Sequence, residues 1–195
     1  MRLLVATQNR GKQQEIKTLL ALTGLDLVFP NDLPAVSDLD VIEDGKSFAE
    51  NAELKARAFA QASNVLSVAE DTGLQVAALN NEPGVASKRW HVGSDLDRNT
   101  ALLKRLKSKQ NRAAKFITVA CLFDPATNQS SFFTGEMTGE IATAISTGSG
   151  FGYDPIFMPS GEKQTLAELG VATKNKISHR ARAFIQVRAY LEKKL

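Results

Sequence analysis

The stretch SFAENAELKARAFAQASNVLSVAEDTG, residues 47–73, joins a strong helical pattern to an apolar run. Ser47 and Glu50 match a capping box, in which two side chains satisfy backbone amides at the start of a helix. The residues that follow are rich in helix formers. VLSVAEDTG, residues 65–73, then predicts a buried strand that runs into a polar turn. A helix that leads directly into a buried strand is typical of an α/β protein.

Helices and strands alternate on either side of this stretch. Residues 2–7 predict a short buried strand, residues 12–22 a helix and residues 27–29 a second strand. On the other side, residues 74–79 predict another short strand, and residues 95–107 predict a helix. The alternation extends the α/β pattern over the first half of the chain.

The second half of the chain predicts an antiparallel pair of strands. KFITVACLF, residues 115–123, and SSFFTGEMTGEIA, residues 130–142, flank the hairpin turn DPATNQ. Residues 164–169 predict a short helix, and Ser178 is a candidate cap for the last helix. All elements together predict a mixed α/β fold without internal repeats, in a single domain over residues 1–195.

The composition is that of an ordinary globular protein. Of the 195 residues 43% are hydrophobic, and the net charge is +3 without the runs of like charge that signal a nucleic-acid-binding arm. No stretch approaches the roughly 20 apolar residues of a membrane helix, and the first residues lack a signal-peptide pattern. The only cysteine, Cys121, is expected to be a buried and inert thiol. We therefore expect a cytoplasmic protein that binds neither membranes nor nucleic acid.

The turn TQNRGK, residues 7–12, lies between the first predicted strand and helix. The unpaired amides and the dipole of a helix start attract anions, Thr7 and Asn9 add short polar groups, and Lys12 adds positive charge. The spacing is not that of a Walker A loop. The turn taken alone predicts either a phosphate-binding site or a purely structural turn.

The acidic pair Glu70 and Asp71 follows an apolar run. Adjacent carboxylates repel each other, so two ionised groups here favour a bound cation or a base with a raised pKa. Mg²⁺ takes one or two carboxylates together with substrate phosphates, and Glu43 could join them. The alternative is an acidic turn with solvated side chains.

Basic residues form two further candidate groups. Asn51 and Lys55 share one face of the helix that follows Ser47, although such pairs are also common on solvated surfaces. His179 and Arg180 lie in the first turn of the last helix, where cations oppose the helix dipole. A helix that served stability alone would carry acids at that end, so this pair favours a functional role.

The loop GSGFGYDPIFMP, residues 148–159, combines three glycines with aromatic side chains. Glycine permits backbone conformations that other residues avoid. Phe151 and Tyr153 are not both expected to be core residues in a segment this irregular. The loop predicts a flat binding partner, with a plain turn as the alternative.

The motifs together are similar to those of the inosine triphosphate pyrophosphatase family, also called XTP/dITP diphosphatases. The resemblance extends along essentially the whole chain, and the order and spacing of the motifs make it specific. The matching segments are ATQNRGKQQEI, SFAENAELKA, AEDTGLQV, PGVASKRW, GFGYDPIF and ISHRARA.

The resemblance implies a fold, a reaction and partners. The fold is a long curved mixed β-sheet flanked by helices, with two lobes and a central cleft, in a protein that is usually a homodimer. The reaction is the Mg²⁺-dependent hydrolysis of ITP, dITP and XTP to the monophosphate and pyrophosphate. This reaction removes deaminated purines from the nucleotide pool.

The resemblance also implies roles for individual residues. Asp71 is the catalytic base and a metal ligand, with Glu43 and Glu70 completing the metal environment. The triphosphate is held by Thr7, Gln8, Asn9, Arg10, Gly11, Lys12 and Lys55, and further substrate contacts come from Thr72 and Arg89. The base-binding loop is Phe151, Gly152, Tyr153 and Asp154, and the purine edge is contacted by Lys174, His179 and Arg180.

Three positions depart from the family pattern, and two other functions stay open. Gln8 replaces a common glycine, Glu70 with Asp71 replaces a pair of aspartates, and Trp90 replaces a frequent tyrosine. One alternative is a related septum-inhibitor-type pyrophosphatase that acts on modified or pyrimidine triphosphates. The other is a nucleotide-binding regulator without turnover.

Overall fold

The computed structural model describes residues 1–195, with six β-strands and five α-helices. The strands are β1 (Arg2–Val5), β2 (Asp26–Val28), β3 (Ser67–Val76), β4 (Ala113–Asp124), β5 (Gln129–Ile141) and β6 (Phe157–Pro159). The helices are α1 (Arg10–Leu19), α2 (Phe48–Ser63), α3 (Asp95–Arg105), α4 (Leu166–Ile177) and α5 (His179–Glu192).

The strands form one mixed sheet in the order β2-β1-β3-β4-β5-β6. β1 runs parallel to both of its neighbours, with Leu4 opposite Val28 on one side and Ser67 on the other. β6 runs antiparallel to β5. The connection between β4 and β5 is a tight turn, which is possible only for antiparallel strands. The predicted mixed α/β fold is confirmed.

The chain forms two compact units. Unit 1 comprises Met1–Asp71, Thr118–Gly135 and Arg180–Leu195. Unit 2 comprises Thr72–Ile117 and Glu136–His179. Two units agree with the two predicted lobes, while the assignment of the whole chain to a single domain stays a prediction.

Unit 1 has an apolar cluster on each face of its strands. Side chains alternate along a strand, so Leu3 and Val5 point to one face of β1, and Leu4 and Ala6 point to the other. The first face packs against α1 and α5 through Ile16, Leu20, Phe184 and Val187. The second face packs against α2 through Ala52, Ala56, Phe59 and Ala60. The strands of unit 1 are therefore covered by helices on both faces.

Unit 2 is organised around a single apolar cluster. Leu74 and Val76 of β3 pack there with Leu102 of α3 and with the Phe116 side chain of β4. The rings of Phe116 and Phe157 lie 4.7 Å apart between centroids. This contact helps to hold β6, which forms the end of the glycine-rich segment, in the core.

β3 is longer than the sequence predicts. Residues 65–73 and 74–79 were expected to be separate strands with a polar turn between them, but β3 runs without a break over Ser67–Val76. Leu74 and Val76 are fully buried, so their burial keeps the strand extended beyond the acidic pair. Only Ala77–Leu79 leave the strand, as one turn of 3₁₀-helix.

The helix starts are set by side-chain caps. The Ser47 hydroxyl accepts the Glu50 N–H at 3.2 Å, as predicted for α2, but the Glu50 carboxylate accepts the Lys46 N–H instead of completing the box. Ser94 and Thr165 form complete capping boxes at α3 and α4. α4 runs well past the predicted short helix, with a break at Gly170, where φ is 77°.

Arg180 joins three elements of unit 1 through buried ion pairs. Its Nη1 lies 2.6 Å from Oε2 of Glu15 in α1, and its Nη2 lies 2.9 Å from Oε1 of Glu70 in β3. Each of the three side chains is at most 5% exposed. Burial opposes the charged guanidinium, but Glu70 and Glu15 together raise the pKa of Arg180 above its ordinary value. The start of α5 is thus fixed to α1 and β3 by charge as well as by packing.

No helix of the structure is both long and apolar enough to cross a membrane.

We expect Cys121 to be unreactive in the folded protein. The thiol is fully buried, and burial raises its pKa to about 12, so almost no nucleophilic thiolate exists at pH 8. Titration with a disulfide reagent at pH 8 should label the native protein very slowly and the urea-unfolded protein with one equivalent at once. Rapid labelling of the native protein would contradict this burial.

We expect Glu15→Ala to lower the free energy of unfolding by about 3–5 kcal/mol, because it removes one partner of a buried ion pair. Urea denaturation followed by circular dichroism measures the change. Glu192→Ala is the matched control, since it breaks the exposed pair of Glu192 with Arg188 and should cost about 0.5 kcal/mol or less. Equal losses of unfolding free energy in the two variants would show that the buried ion pair stabilises the fold no more than the exposed one.

Candidate active site

The turn after β1 is held together by its own side chains. The Asn9 carboxamide oxygen accepts the Lys12 N–H at 3.1 Å and caps α1, which therefore begins at Arg10 rather than at residue 12. The Thr7 hydroxyl accepts the Asn9 N–H at 3.3 Å. These bonds fix the backbone that the sequence predicts to hold phosphate. Arg10 is exposed and Gly11 is half-buried on the first turn of the helix.

Gln8 has a structural task in this turn. Its side-chain amide donates to the carbonyl oxygen of Ser37 at 3.2 Å and to that of Leu39 at 3.5 Å. A glycine at this position could make neither bond. The departure from the family pattern therefore ties the turn to the loop that contains residues 37–39.

Lys12 completes the buried charge network of Arg180. Its Nζ lies 3.0 Å from Oε1 of Glu70, the same oxygen that Arg180 contacts. Burial lowers the pKa of Lys12, and Glu70 opposes that shift. The predicted phosphate-binding lysine is thus oriented by Glu70, which also pairs with Arg180.

Glu70 and Asp71 point to opposite faces of β3. Val68 packs on the face covered by α1 and α5, and Ala69 packs on the face covered by α2. Because side chains alternate along a strand, Glu70 lies on the same face as Val68, and Asp71 lies on the same face as Ala69. Of the two alternatives that the sequence leaves open for the pair, a base with a raised pKa agrees with the surroundings of Asp71, and the assignment of Glu70 to a metal stays a prediction. Each carboxylate has its own cationic neighbours.

Asp71 lies in a polar cluster built by α2 and the loop before it. Its Oδ2 accepts a hydrogen bond from Nδ2 of Asn51 at 3.1 Å, and its Oδ1 lies 4.0 Å from Nζ of Lys55. Lys55 also pairs with Oε2 of Glu43 at 2.7 Å. Asn51 is fully buried and is held by the N–H of Gly45, which donates to its side-chain oxygen at 2.9 Å.

The surroundings of Asp71 raise the pKa of its carboxyl group. Burial raises its pKa, Lys55 and the Asn51 hydrogen bond lower it, and Glu43 and Glu70 add smaller upward shifts. The pKa lies above the ordinary value. A carboxylate of this kind is a better proton acceptor than a solvated one.

The oxygen donors around Asp71 suit a hard cation. Asp71 and Glu43 both have carboxylate oxygens within 4.0 Å of the Lys55 ammonium. Mg²⁺ takes one or two carboxylates and completes its shell with substrate phosphates and water. No group of three or more acidic, histidine or cysteine side chains is assembled into a ready metal cage. The arrangement fits an ion that is bound largely by the substrate.

The glycine-rich loop of unit 2 is held by a buried ion pair. Nζ of Lys174 lies 2.6 Å from Oδ2 of Asp154, and both side chains are 3% exposed. The same Asp154 oxygen accepts the Phe151 N–H at 3.0 Å. The Lys174 ammonium lies 4.3 Å from the centroid of the Phe151 ring, within the range of a cation–π contact. The structure thus brings three predicted base-binding residues together.

Of Phe151 and Tyr153, only Tyr153 is a core residue. Its ring is 5% exposed, and its hydroxyl donates to the carbonyl oxygen of Ser87 at 2.9 Å. Burial raises the pKa of this phenol to about 12, so it stays a hydrogen-bond donor at neutral pH. Phe151 is half-buried. Tyr153 therefore anchors the loop, and its predicted contact with substrate stays a prediction.

The remaining predicted residues have different surroundings. His179 is buried and stacks on Phe116, with ring centroids 4.6 Å apart. Thr72 is half-buried on β3 directly after Asp71, and Arg89 is exposed. Arg180 serves the Glu15–Glu70 network, a task that the sequence analysis did not assign to it. Contacts of these four residues with substrate stay predictions.

Sequence analysis missed four residues that position the site. Glu15 follows Lys12 by three residues on α1, a spacing that places both on one helix face and could have indicated the network. Asn51 was placed beside Lys55 but not assigned to Asp71. Asp95 and Asn99, which contact the backbone of Gly152, gave no local signal.

Comparison with known proteins places the chain among enzymes of nucleotide metabolism. A dITP/XTP pyrophosphatase of Symbiobacterium thermophilum is 43% identical over 185 residues, which cover 93% of this chain and 90% of that protein. A dITP/XTP pyrophosphatase of Aquifex aeolicus is 39% identical over 194 residues, which cover 94% of this chain and 93% of that protein. These relatives carry the activity of the family that the motifs resemble.

Solved structures agree with the sequence relatives. A HAM1 protein from Coxiella burnetii superposes with a TM-score of 0.90 at 34% identity, covering 99% of both chains. The Staphylococcus aureus Ham1 protein superposes with a TM-score of 0.88 at 36% identity, covering 100% of both chains. The model of the Ham1 family matches residues 3–190. The resemblance found in the motifs is confirmed, and the chain belongs to the Ham1 family.

Proposed function

We propose that the protein is a dITP/XTP pyrophosphatase, which hydrolyses non-standard purine nucleoside triphosphates to the monophosphate and pyrophosphate. The observation that carries the proposal is the Asp71 carboxylate, which is buried, oriented by Asn51 and poised beside Lys55. The names of the relatives at about 40% identity support the same activity. Removal of ITP, dITP and XTP would keep deaminated purines out of nucleic acids.

The reaction is an attack of water on the α-phosphorus. A new bond forms between the water oxygen and phosphorus, while the bond to the bridging oxygen breaks and pyrophosphate leaves. Asp71 accepts the proton that the water loses. Little covalent work falls to the protein, so positioning and charge neutralisation supply most of the rate enhancement.

The basic residues of unit 1 are assigned to the triphosphate. The ammonium of Lys12 is oriented by Glu70, and that of Lys55 is oriented by Glu43. Both can neutralise charge on the leaving pyrophosphate. Thr7, Asn9 and the amides at the start of α1 add hydrogen-bonding groups in the same turn.

The oxygens of Asp71 and Glu43 are assigned to Mg²⁺. Glu70 is assigned an indirect part, since it orients Lys12, which binds the same triphosphate. When bound, a magnesium ion neutralises phosphate charge and orients the triphosphate. Asp71 keeps its task as the group that receives the proton from water.

Residues of unit 2 are assigned to the base. The ring of Phe151 offers a stacking surface, and Lys174 and His179 are candidates for contact with the oxygen at position 6 of inosine and xanthosine. Adenine carries an amine at that position, so a donor aimed there would lose its partner. The homodimer and the cytoplasmic location expected from the sequence stay predictions.

A substrate panel tests the activity. In the presence of Mg²⁺ the purified protein should release pyrophosphate from ITP, dITP and XTP with kcat/KM at least about 100-fold above that for ATP, since one unpaired buried donor costs about 1–3 kcal/mol and more when charged. Pyrophosphate is measured by a coupled assay. No pyrophosphatase is added, because it would convert pyrophosphate to orthophosphate and hide which product the protein releases. Preference for pyrimidine triphosphates would support the septum-inhibitor-type alternative, and binding without release would support the regulator.

Asp71→Asn tests the assignment of the base. The amide keeps the size of the side chain but cannot accept the proton from water, so we expect kcat to fall by about 100-fold or more. Binding of ITP, measured by calorimetry, should persist. Asp44→Asn is the matched control, because Asp44 is an exposed acid one residue after Glu43. Full activity in Asp71→Asn would exclude Asp71 as the base.

A further inference from the structure

Helix α3 holds both polar groups of the Gly152 backbone. The Gly152 N–H donates to Oδ2 of Asp95 at 2.7 Å. The Gly152 carbonyl oxygen accepts a hydrogen bond from Nδ2 of Asn99 at 3.0 Å. Asp95 and Asn99 are four residues apart and so lie on the same face of the helix. We call these two side chains the α3 clamp.

The clamp acts on the residue that follows Phe151. Gly152 adopts the left-handed conformation, with φ of 64°, which sets the direction in which the chain leaves Phe151. On its other side, the Phe151 N–H is bound by Asp154, and Lys174 lies over the ring. The ring is therefore contacted by Lys174 of α4, and the backbone on its two sides is held by Asp154 within the loop and by α3 from outside it.

The chemistry of Asn99 is hard to explain by stability alone. Its side chain is 1% exposed, and its Oδ1 has no hydrogen-bond partner. The orientation of the amide is fixed, because Oδ1 turned toward the Gly152 carbonyl oxygen would be repelled. A buried, unsatisfied oxygen is unfavourable, and an apolar side chain of equal size would avoid it. What Asn99 provides is the bond to Gly152.

We propose that Asp95 and Asn99 are positioning residues that set the affinity for the purine base by holding the Phe151 ring, without contacting the base. This inference rests on the proposed function, because it assigns the Phe151 loop to base recognition. Both residues belong to unit 2, whereas Lys12 and Lys55, which are assigned to the triphosphate, belong to unit 1. Loss of the clamp should therefore affect base binding and leave triphosphate binding unchanged.

The test compares two probes by calorimetry. Inosine monophosphate carries the base, and inorganic tripolyphosphate carries only the phosphates. Asn99→Leu keeps the volume but removes the donor, and it should weaken inosine monophosphate binding about fivefold to tenfold, as expected for one lost hydrogen bond. The Kd of tripolyphosphate should stay within twofold of the wild-type value. The melting temperature should change little, because removal of the unsatisfied oxygen offsets the hydrogen bond lost by the half-buried Gly152 carbonyl.

Asp95 offers a rescue experiment. Asp95→Ala removes the acceptor for the Gly152 N–H and should weaken inosine monophosphate binding as Asn99→Leu does. Asp95→Asn keeps an acceptor oxygen at the same place and should restore most of the affinity. Asp97→Ala is the matched control, because it removes another acid from the first turn of α3. The Asp97 carboxylate accepts hydrogen bonds from the N–H and the hydroxyl of Ser94 and has no bond to Gly152. Asp97→Ala should lower stability but leave both dissociation constants unchanged.

The outcomes separate this inference from the proposed function. Unchanged inosine monophosphate affinity in Asn99→Leu, or parallel losses for both probes, would overturn the clamp. Wild-type protein that binds both probes but releases no pyrophosphate from ITP would overturn the proposed activity, while the comparison of the two dissociation constants would still decide the clamp. Wild-type protein that releases pyrophosphate from ITP but fails to bind inosine monophosphate would overturn the clamp and leave the proposed activity standing.

Discussion

The buried guanidinium of Arg180 is the constraint on which the arrangement of unit 1 depends. A cation removed from water must be surrounded by acceptors, and Glu15 and Glu70 provide them from α1 and β3. Because Glu70 also pairs with Lys12, the buried ion pairs of Arg180 and the turn of residues 7–12, which we propose to bind phosphate, share one carboxylate. The two cations and two anions balance, so none of them can be removed without leaving an uncompensated charge away from solvent.

The alternation of side chains along β3 divides the acidic pair into two tasks. Glu70 faces α1 and α5 and forms ion pairs with Lys12 and Arg180. Asp71 faces α2, where it accepts a hydrogen bond from Asn51 and lies close to Lys55. The two adjacent acids of this strand therefore have different neighbours. Glu70 pairs with Lys12 and Arg180, and Asp71 is the carboxylate that we propose as the proton acceptor. The longer arm of Glu70, where the family commonly has aspartate, suits it to a network that spans two helices.

Local patterns predicted the elements of this fold well, but the partners of its buried charges only in part. The start of α2 at Ser47 and the β4–β5 hairpin were predicted because a cap and a turn are local features. The role of Arg180 was missed because Glu70 and Glu15 lie 110 and 165 residues away along the chain. The continuity of β3 through its polar residues was missed because only the burial of Leu74 and Val76 in unit 2 enforces it. Asn99 was missed because its partner is a backbone carbonyl, which has no sequence signature.

Asp71 illustrates why a buried polar group that the fold does not need points to chemistry. Burial is the main cause that raises its pKa above the value of the unfolded chain. Above both pKa values the carboxylate is ionised in either state, and the folded state then holds a charge that burial disfavours. Asp71 therefore lowers the free energy of unfolding at neutral pH, and this penalty disappears only below the pKa of the unfolded chain. An asparagine would have nearly the same shape without the penalty. What distinguishes the carboxylate is its ability to take a proton, which is the step that hydrolysis of a triphosphate by water requires.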